Sequence, residues 1–362
     1  MSVIDEELLR KYYSDKFPLE DIKQWISYGG NEPLENRECG FFFDDEKFMR
    51  WQTVDVLRRL ALANPPQRME IGPVYTHPIA IRQQQSPGEF RPKSKELIFD
   101  LDADDFKDIK CCCGDSEICE KCWPYMHCAI DCLTTILRTN FGFKKIFPVF
   151  SGRRGIHIWV CDKKARELSA AVRDKIVHYL NLKEITEMDN FLLNASPLLK
   201  QMLPSCEKYF CKIYRTQNIF KNQKTSERAY KLLGSETIKQ INKIIDSTHG
   251  TDEERWESVK TMAFKGKTFA ESDQYKRLIV FYSFPRLDEN VTKGMNHLLK
   301  SPFSVHPKSG FISVPIPPEK YELLPQTWVP SFEKLMKNEP EAVQVFEESK
   351  RLLKEHASKP DE

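Results

Sequence analysis

The sequence predicts an α/β fold, of the α+β kind with a mixed sheet. Three observations carry this: short apolar runs of strand length, stretches with one apolar helical face, and a polar segment from about 164 to 270 that reads as helix throughout. Segment 5–13 sets Leu8 and Leu9 with Tyr12 and Tyr13 on one face, and 19–28 does the same with Ile22, Trp25 and Ile26, so helices open the chain. An apolar run at Phe41–Phe43 follows, then a helix over 52–62 stopped by Asn64-Pro65-Pro66, then strand-like runs at 69–75 and 96–101. Pro124 begins a helix over 124–140 that carries Ile130, Leu133, Ile136 and Leu137 on one side. Two further apolar runs, 145–150 and 156–160, flank the turn Ser151-Gly152-Arg153-Arg154-Gly155. Residues 182–270, rich in Lys, Glu and Asn, read as a helical insertion, and a strand returns at 278–284, LIVFYSF. The expected organisation is therefore a first α/β part over 1–181, an insertion over 182–270, the remainder of the same domain over 271–320, and a tail over 321–362 whose helix at 340–357 is read as a docking helix.

With 362 residues, 40% of them hydrophobic and 30% charged, the chain is expected to fold alone as a soluble protein. The opening MSVIDEELLRKYY is charged and amphipathic, and no stretch reaches the roughly 18 apolar residues of a membrane helix, so neither a signal peptide nor a membrane span is expected. A formal charge of +2 excludes a uniformly basic coat, so any phosphate-binding surface must be a local cluster. Seven of the eleven cysteines lie between Cys111 and Cys132, a crowding that fits reduced thiols and a metal better than disulfides; Cys39, Cys128, Cys132 and Cys161 read as small buried apolar side chains.

Four constellations carry chemistry. In Leu97-Ile98-Phe99-Asp100-Leu101-Asp102 the alternation of a strand puts Asp100 and Asp102 on one face, where mutual repulsion favours a hard divalent cation such as Mg²⁺. Asp-x-Asp alone is a common pattern, and solvated strand-end acids are the rival reading. Asp288, at the end of Phe284-Pro285-Arg286-Leu287-Asp288, is the candidate third carboxylate for a two-metal site with ions about 4 Å apart; its rival role is a helix cap. Ser151-Gly152-Arg153-Arg154-Gly155-Ile156-His157 offers glycines for close backbone approach with guanidinium and imidazole donors for a triphosphate, although His157 alternates with Ile156 and Ile158 and could be a core histidine. A third basic stretch places Lys293, His297 and Lys300 on one face of an expected helix ended by Pro302, with His306 beyond it. Finally, Cys112-Cys113 followed by Cys119-x-x-Cys122 has the spacing of a closed, structural Zn²⁺ site, with Cys111 leaving the register open.

Taken in order, the Asp-x-Asp strand, the cysteine cluster, SGRRGIH, the helical insertion, FPRLDENV and NHLLKSPFSVHPKSGFISVPI resemble the archaeo-eukaryotic, or eukaryotic-type, DNA primase small catalytic subunit family from about residue 10 to 317. The resemblance implies a prim fold whose catalytic sheet presents Asp100, Asp102 and Asp288 to two Mg²⁺ or Mn²⁺ ions. It implies that Ser151, Arg153, Arg154, His157, His297, Lys300 and His306 hold a ribonucleoside triphosphate, that Glu38 and Arg50 join the site, and that Cys112, Cys113, Cys119 and Cys122 hold one structural zinc with Cys111 excluded. It further implies RNA primer synthesis on single-stranded DNA by nucleotidyl transfer, a large primase subunit and DNA polymerase alpha with its accessory subunit as partners in a primosome, and a nuclear location. A translesion or end-joining primase-polymerase, and an inactive zinc-bearing nucleic-acid scaffold, are the alternatives; the SPFSVHPKSGFISVPI run disfavours the first and three acids facing a basic pocket disfavour the second.

Overall fold

The chain is described by a computed structural model, which covers residues 4–43, 47–181, 197–263 and 273–361. Parts of the expected insertion, 182–196 and 264–270, lie outside the described residues. Contacts divide the chain into two compact units: Met1–Asp100 with Gly142–Val177 and Asp288–Glu362, and Leu101–Phe141 with His178–Leu287. Among the described residues no helix is long and apolar enough to cross a membrane.

The first unit opens with helices α1 (Glu6–Lys11) and α2 (Leu19–Ser27), joined through a π-helical turn at Tyr12–Lys16. The apolar stripe expected from 19–28 is buried at Ile22, Trp25 and Ile26. Strands β1 (Arg37–Phe42) and β2 (Phe48–Gln52) form an antiparallel pair, α3 (Leu57–Ala63) stops at the Asn64-Pro65-Pro66 breaker, and β3 (Arg68–Tyr75) pairs antiparallel with β1. With β4 (Pro92–Ser94) they form a sheet of order β2-β1-β3-β4. Next comes β5 (Leu97–Asp102), through which the boundary between the units passes after Asp100.

Beyond α4 (Trp123–Thr139), strands β6 (Ile146–Phe150) and β7 (Gly155–Val160) pair antiparallel with Val149 opposite His157, and the second sheet has the order β5-β7-β6. Both β6 and β7 are buried along their whole length, so apolar residues occupy both faces of each strand, with His157 as the buried polar exception in β7. Two short helices, α5 (Lys163–Arg166) and α6 (Ala170–Leu180), follow.

Helices α7 (Pro197–Thr216), α8 (Gln223–Ser247), α9 (Asp252–Met262) and α10 (Asp273–Ser283) build the second unit, with α8 broken at Gly234, whose φ of 76° leaves the helical region. Trp256 is their hub, within 4.8 Å of the Phe210 ring centroid and 5.3 Å of Tyr214. Residues 278–284, expected as a strand, are the end of α10 and the residue after it. Leu278, Ile279, Val280 and Tyr282 are buried on several sides at once, which removes the polar face that would have betrayed a helix.

The return to the first unit also departs from expectation. Asp288 does not end a strand; it caps the short helix α11 (Glu289–Lys293). The helix expected to hold Lys293, His297 and Lys300 stops at Gly294, and Leu299–Lys300 is instead β8, paired with β3 so that Lys300 faces Glu70. A Cβ at Gly294 would sit 2.9 Å from the Asn290 carbonyl oxygen, so the turn depends on glycine. After α12 (Phe332–Met336), the tail helix α13 (Pro340–Ala357) lays Phe346 against Phe303 at 5.4 Å and His356 against Phe147 at 4.5 Å. Its apolar face is thus consumed by the core of its own unit.

Candidate active site

One strand end and one helix N-cap set the acids. The backbone N–H of Asp288 donates to the carbonyl oxygen of Asp100 at 3.1 Å, and Thr292 Oγ1 donates to the Ile98 carbonyl at 2.7 Å, so the Asp288 segment is laid along β5. Lys95 completes the attachment: its buried Nζ donates to the Gly294 carbonyl at 2.7 Å, and desolvation, then the Arg173 charge, bring its pKa down to about 7. Asp100 and Asp288 are each half-buried, leaving a carboxylate face toward solvent. Asp102, two residues on in the same strand, accepts from the Asp104 N–H at 3.0 Å as an N-cap. Asp288 does likewise toward Asn290 at 3.0 Å, so capping fixes the orientation of both carboxylates through one oxygen.

The basic turn lies in the first unit. Ser151 accepts the Gly155 N–H on Oγ at 3.1 Å and the Lys300 ammonium on its carbonyl at 2.7 Å, which ties the turn to β8. Gly152 has φ +92°, and a Cβ there would meet His306 Cβ at 2.9 Å and the Phe311 carbonyl at 3.2 Å; only glycine lets the segment after β8 approach so closely. The Arg153 carbonyl accepts from Gln326 Nε2. His306, half-buried, has its pKa lowered to about 3, first by desolvation and then by Lys300, Arg153 and Arg68, which places those cations around one point. His157 is buried with Nε2 3.6 Å from Asp100 Oδ1, and desolvation followed by Lys300 lowers it to about 3, so the imidazole is neutral at pH 7. Its Nδ1 finds no hydrogen-bond partner among the described residues.

A third group sits on the larger sheet. Glu38 is fully buried and receives Arg50 through Nε at 2.8 Å and Nη2 at 3.2 Å, with the Tyr75 hydroxyl donating at 3.2 Å. Arg50 also reaches the Asn296 carbonyl at 3.3 Å, next to the exposed His297. His297 has its pKa lowered by desolvation and Lys95 against the opposing pull of Asp288, which locates it near that carboxylate. Lys293, by contrast, is engaged with Glu289 at 2.7 Å and Asp174 at 3.0 Å. Sequence reasoning missed Lys95, Thr292, Tyr75 and Asn296. Lys95 precedes an apolar strand by two residues, and that position is the one signal it gave.

In the second unit, the Sγ atoms of Cys112, Cys113, Cys119 and Cys122 all lie within 4.8 Å of one another, with separations of 3.9 Å for 112–113, 3.7 Å for 113–122, 3.5 Å for 112–119 and 3.8 Å for 119–122. A tetrahedral thiolate site with bonds of about 2.3 Å spaces its sulfurs by roughly 3.8 Å, so these four could hold a metal ion. Cys122 stands at the N-cap position of α4, Gln217 Nε2 donates to Cys112 at 3.3 Å, and Lys110 holds the loop carbonyls of Gly114 and Asp115 at 2.9 and 3.0 Å. Cys111 is turned toward Gln217, whose Oε1 accepts its N–H at 3.0 Å. Hydrogen bonds from Cys122 first, then Gln217 and Cys119, pull the Cys112 thiol down.

The profile of the family described as DNA primase small subunit matches residues 99–318. The DNA primase small subunit of Schizosaccharomyces pombe is 31% identical over 355 residues, covering 92% of this chain and 78% of that protein. That of Drosophila melanogaster is 32% identical over 361 residues, covering 91% and 81%. The archaeal DNA primase small subunit PriS of Thermococcus sibiricus is 26% identical, covering 89% and 91%. Among solved structures, the polymerase domain from Mycobacterium tuberculosis Ligase D in complex with DNA aligns over 96% of this chain and 92% of that one at 10% identity with a TM-score of 0.42, a likeness too loose to equate the two folds.

Proposed function

This chain belongs to the DNA primase small subunit family, and from that premise we propose that Asp100, Asp102 and Asp288 are the carboxylates on which it joins ribonucleotides into primers along single-stranded DNA. It is a nucleotidyltransferase that synthesises RNA primers. The observation that carries the site assignment is the backbone bond from Asp288 to Asp100, which brings acids from distant parts of the sequence to one strand end.

Hard oxygen donors at a half-exposed strand end fit Mg²⁺ or Mn²⁺. When bound, two such ions supply activation of the attacking 3′-hydroxyl and charge neutralisation on the leaving pyrophosphate. The chain's own residues do the rest. Arg153, Arg154 and Lys300 take the triphosphate oxygens, with Ser151 and the backbone of Gly152 allowing close approach. His157 and His306, neutral at working pH, offer N–H donors without adding charge repulsion between the cations. Glu38 holds Arg50 in place beside Asn296 and His297, where its guanidinium can meet a second phosphate.

The four-cysteine cluster is read as one structural Zn²⁺ site, since four thiolates leave no open coordination position. The large primase subunit and DNA polymerase alpha with its accessory subunit are the proposed partners, and the nucleus the proposed location; membership of a family with fungal and insect relatives supports both. The test is primer synthesis on unprimed single-stranded DNA, alone and with a large subunit. Asp100→Ala and Asp102→Ala should each abolish nucleotide addition while the chain stays folded, and near-normal synthesis by either would remove that residue from the site.

A further inference from the structure

The second unit contains another cluster of thiols. Cys128 and Cys132 stand four residues apart on α4 and therefore share a helical face, and Cys206 meets them from α7. Cys128 and Cys132 have Sγ atoms 3.8 Å apart, Cys132 and Cys206 4.0 Å apart, and all three sulfurs lie within 4.8 Å of one another. Each residue is 0% exposed. Apolar packing alone explains a buried cysteine, and Cys39, Cys161 and Cys211 are such residues, standing outside any thiol group among the described residues. It does not require three sulfurs from two helices to converge on one point.

We propose that Cys128, Cys132 and Cys206 form a second metal site, holding a thiophilic d¹⁰ cation, Zn²⁺ or Cu⁺, that pins α4 to α7. Bonds of about 2.3 Å in a trigonal plane space the sulfurs by roughly 4.0 Å, and in a tetrahedron by roughly 3.8 Å, which brackets both measured separations. Soft thiolates select these ions over Mg²⁺ and Mn²⁺, so the site does not compete for the metals of the acidic one. On loading, each thiol gives its proton to solvent as its S–M bond forms; three thiolates around Zn²⁺ leave a net charge of −1 and around Cu⁺ of −2, with no oxidation at either sulfur or metal. The position also has a structural use. Cys122 stands at the N-cap position of the same helix six residues before Cys128, so α4 would be held at its start by the four-thiol cluster and at its middle by this one.

The experiment is elemental analysis of the full-length chain, as purified and after anaerobic incubation with excess Zn²⁺ or Cu⁺ followed by desalting. The parent is expected to hold two thiophilic metal equivalents, with the second identified as zinc or copper by the analysis itself. Cys132→Val, which keeps an apolar side chain of similar size, and Cys206→Ala should each fall to one. Cys119→Ser should also lose one while retaining the other, which separates this site from the four-thiol cluster. A parent that holds one equivalent under all three conditions, or two equivalents that persist in folded Cys132→Val and Cys206→Ala, would overturn the proposal and leave the three thiols as apolar core.

Discussion

The N–H of Asp288 is hydrogen-bonded to the carbonyl of Asp100 at 3.1 Å, across 188 positions of sequence. The bond fixes where α11 begins relative to the end of β5, and the Asp288 carboxylate, oriented by its own cap to Asn290, follows from it. Lys95 and Thr292 brace the same segment from the other side. The acidic centre is thus set by main-chain geometry and a buried lysine, and the acids themselves need only project from it.

Because Asp288 is both cap and candidate ligand, its two roles separate by substitution. Asp288→Asn keeps an acceptor for the Asn290 N–H, and Asp288→Ala does not. Thermal unfolding should find Asp288→Asn within about 0.5 kcal/mol of the parent and Asp288→Ala about 1 kcal/mol less stable. Equal destabilisation by both would mean that the cap is energetically silent.

The four-thiol cluster should behave as a folding element. Cys119→Ser is expected to remove one zinc equivalent and to lower the melting temperature by several degrees, with a smaller effect on the chemistry remaining in the folded fraction. Calorimetry alongside metal analysis checks this, and an unchanged melting temperature with the metal gone would argue against a structural role.

Lys300 and Arg153 lie around His306, and Arg154 follows Arg153 in the same turn; with these cations assigned to the triphosphate, Arg154→Ala and Lys300→Ala should raise the nucleotide KM roughly tenfold or more, each losing a charge-assisted contact of about 1.5–3 kcal/mol. Template affinity should change little across a salt series. Weakened template binding whose salt dependence is flatter by about one unit of slope, at unchanged nucleotide KM, would instead place these residues on the DNA path.

His157, His306 and His356 each have a folded pKa near 3 against 6.5 in an ordinary environment, burial being the leading cause in all three. The unfolded chain therefore binds more protons than the folded one between pH 6.5 and 3, and stability falls as pH falls through that window. His356, stacked on Phe147, offers the cleanest test: His356→Phe should lose up to about 2 kcal/mol less than the parent between pH 7 and pH 5. Chemical denaturation at the two pH values measures the difference, and parallel losses would place His356 in contact with water.

Much of the candidate site's layout was legible in the sequence, because its residues fall in short segments whose placement depends on local spacing. Asp100 and Asp102 alternate on one strand, the turn at 151–155 sits between two apolar runs, and the thiols of Cys119 and Cys122 meet at the interval their spacing implies. The failures have three separate physical origins: burial, sheet pairing and partners distant in sequence. LIVFYSF has no polar face to reveal its period, and 278–284 therefore reads as a strand in the sequence although it closes α10. In the segment from Lys293 to Lys300, the cations recur at helical intervals, yet Gly294 ends the helix and β3 recruits Leu299–Lys300 as a strand by pairing across the sheet. Lys95, Tyr75 and Cys206 act through partners far along the chain, which no local pattern reports.

The most direct measurement is the rate of template-directed ribonucleotide addition by Asp288→Asn, with Mg²⁺ and with Mn²⁺. This variant retains the backbone bond to Asp100 and an acceptor for the α11 cap, and loses only the negative charge. The variant is expected to be folded, with a rate that falls by roughly a thousandfold or more with either metal, a loss of about 4 kcal/mol of transition-state stabilisation. A rate within a few-fold of the parent would contradict that expectation.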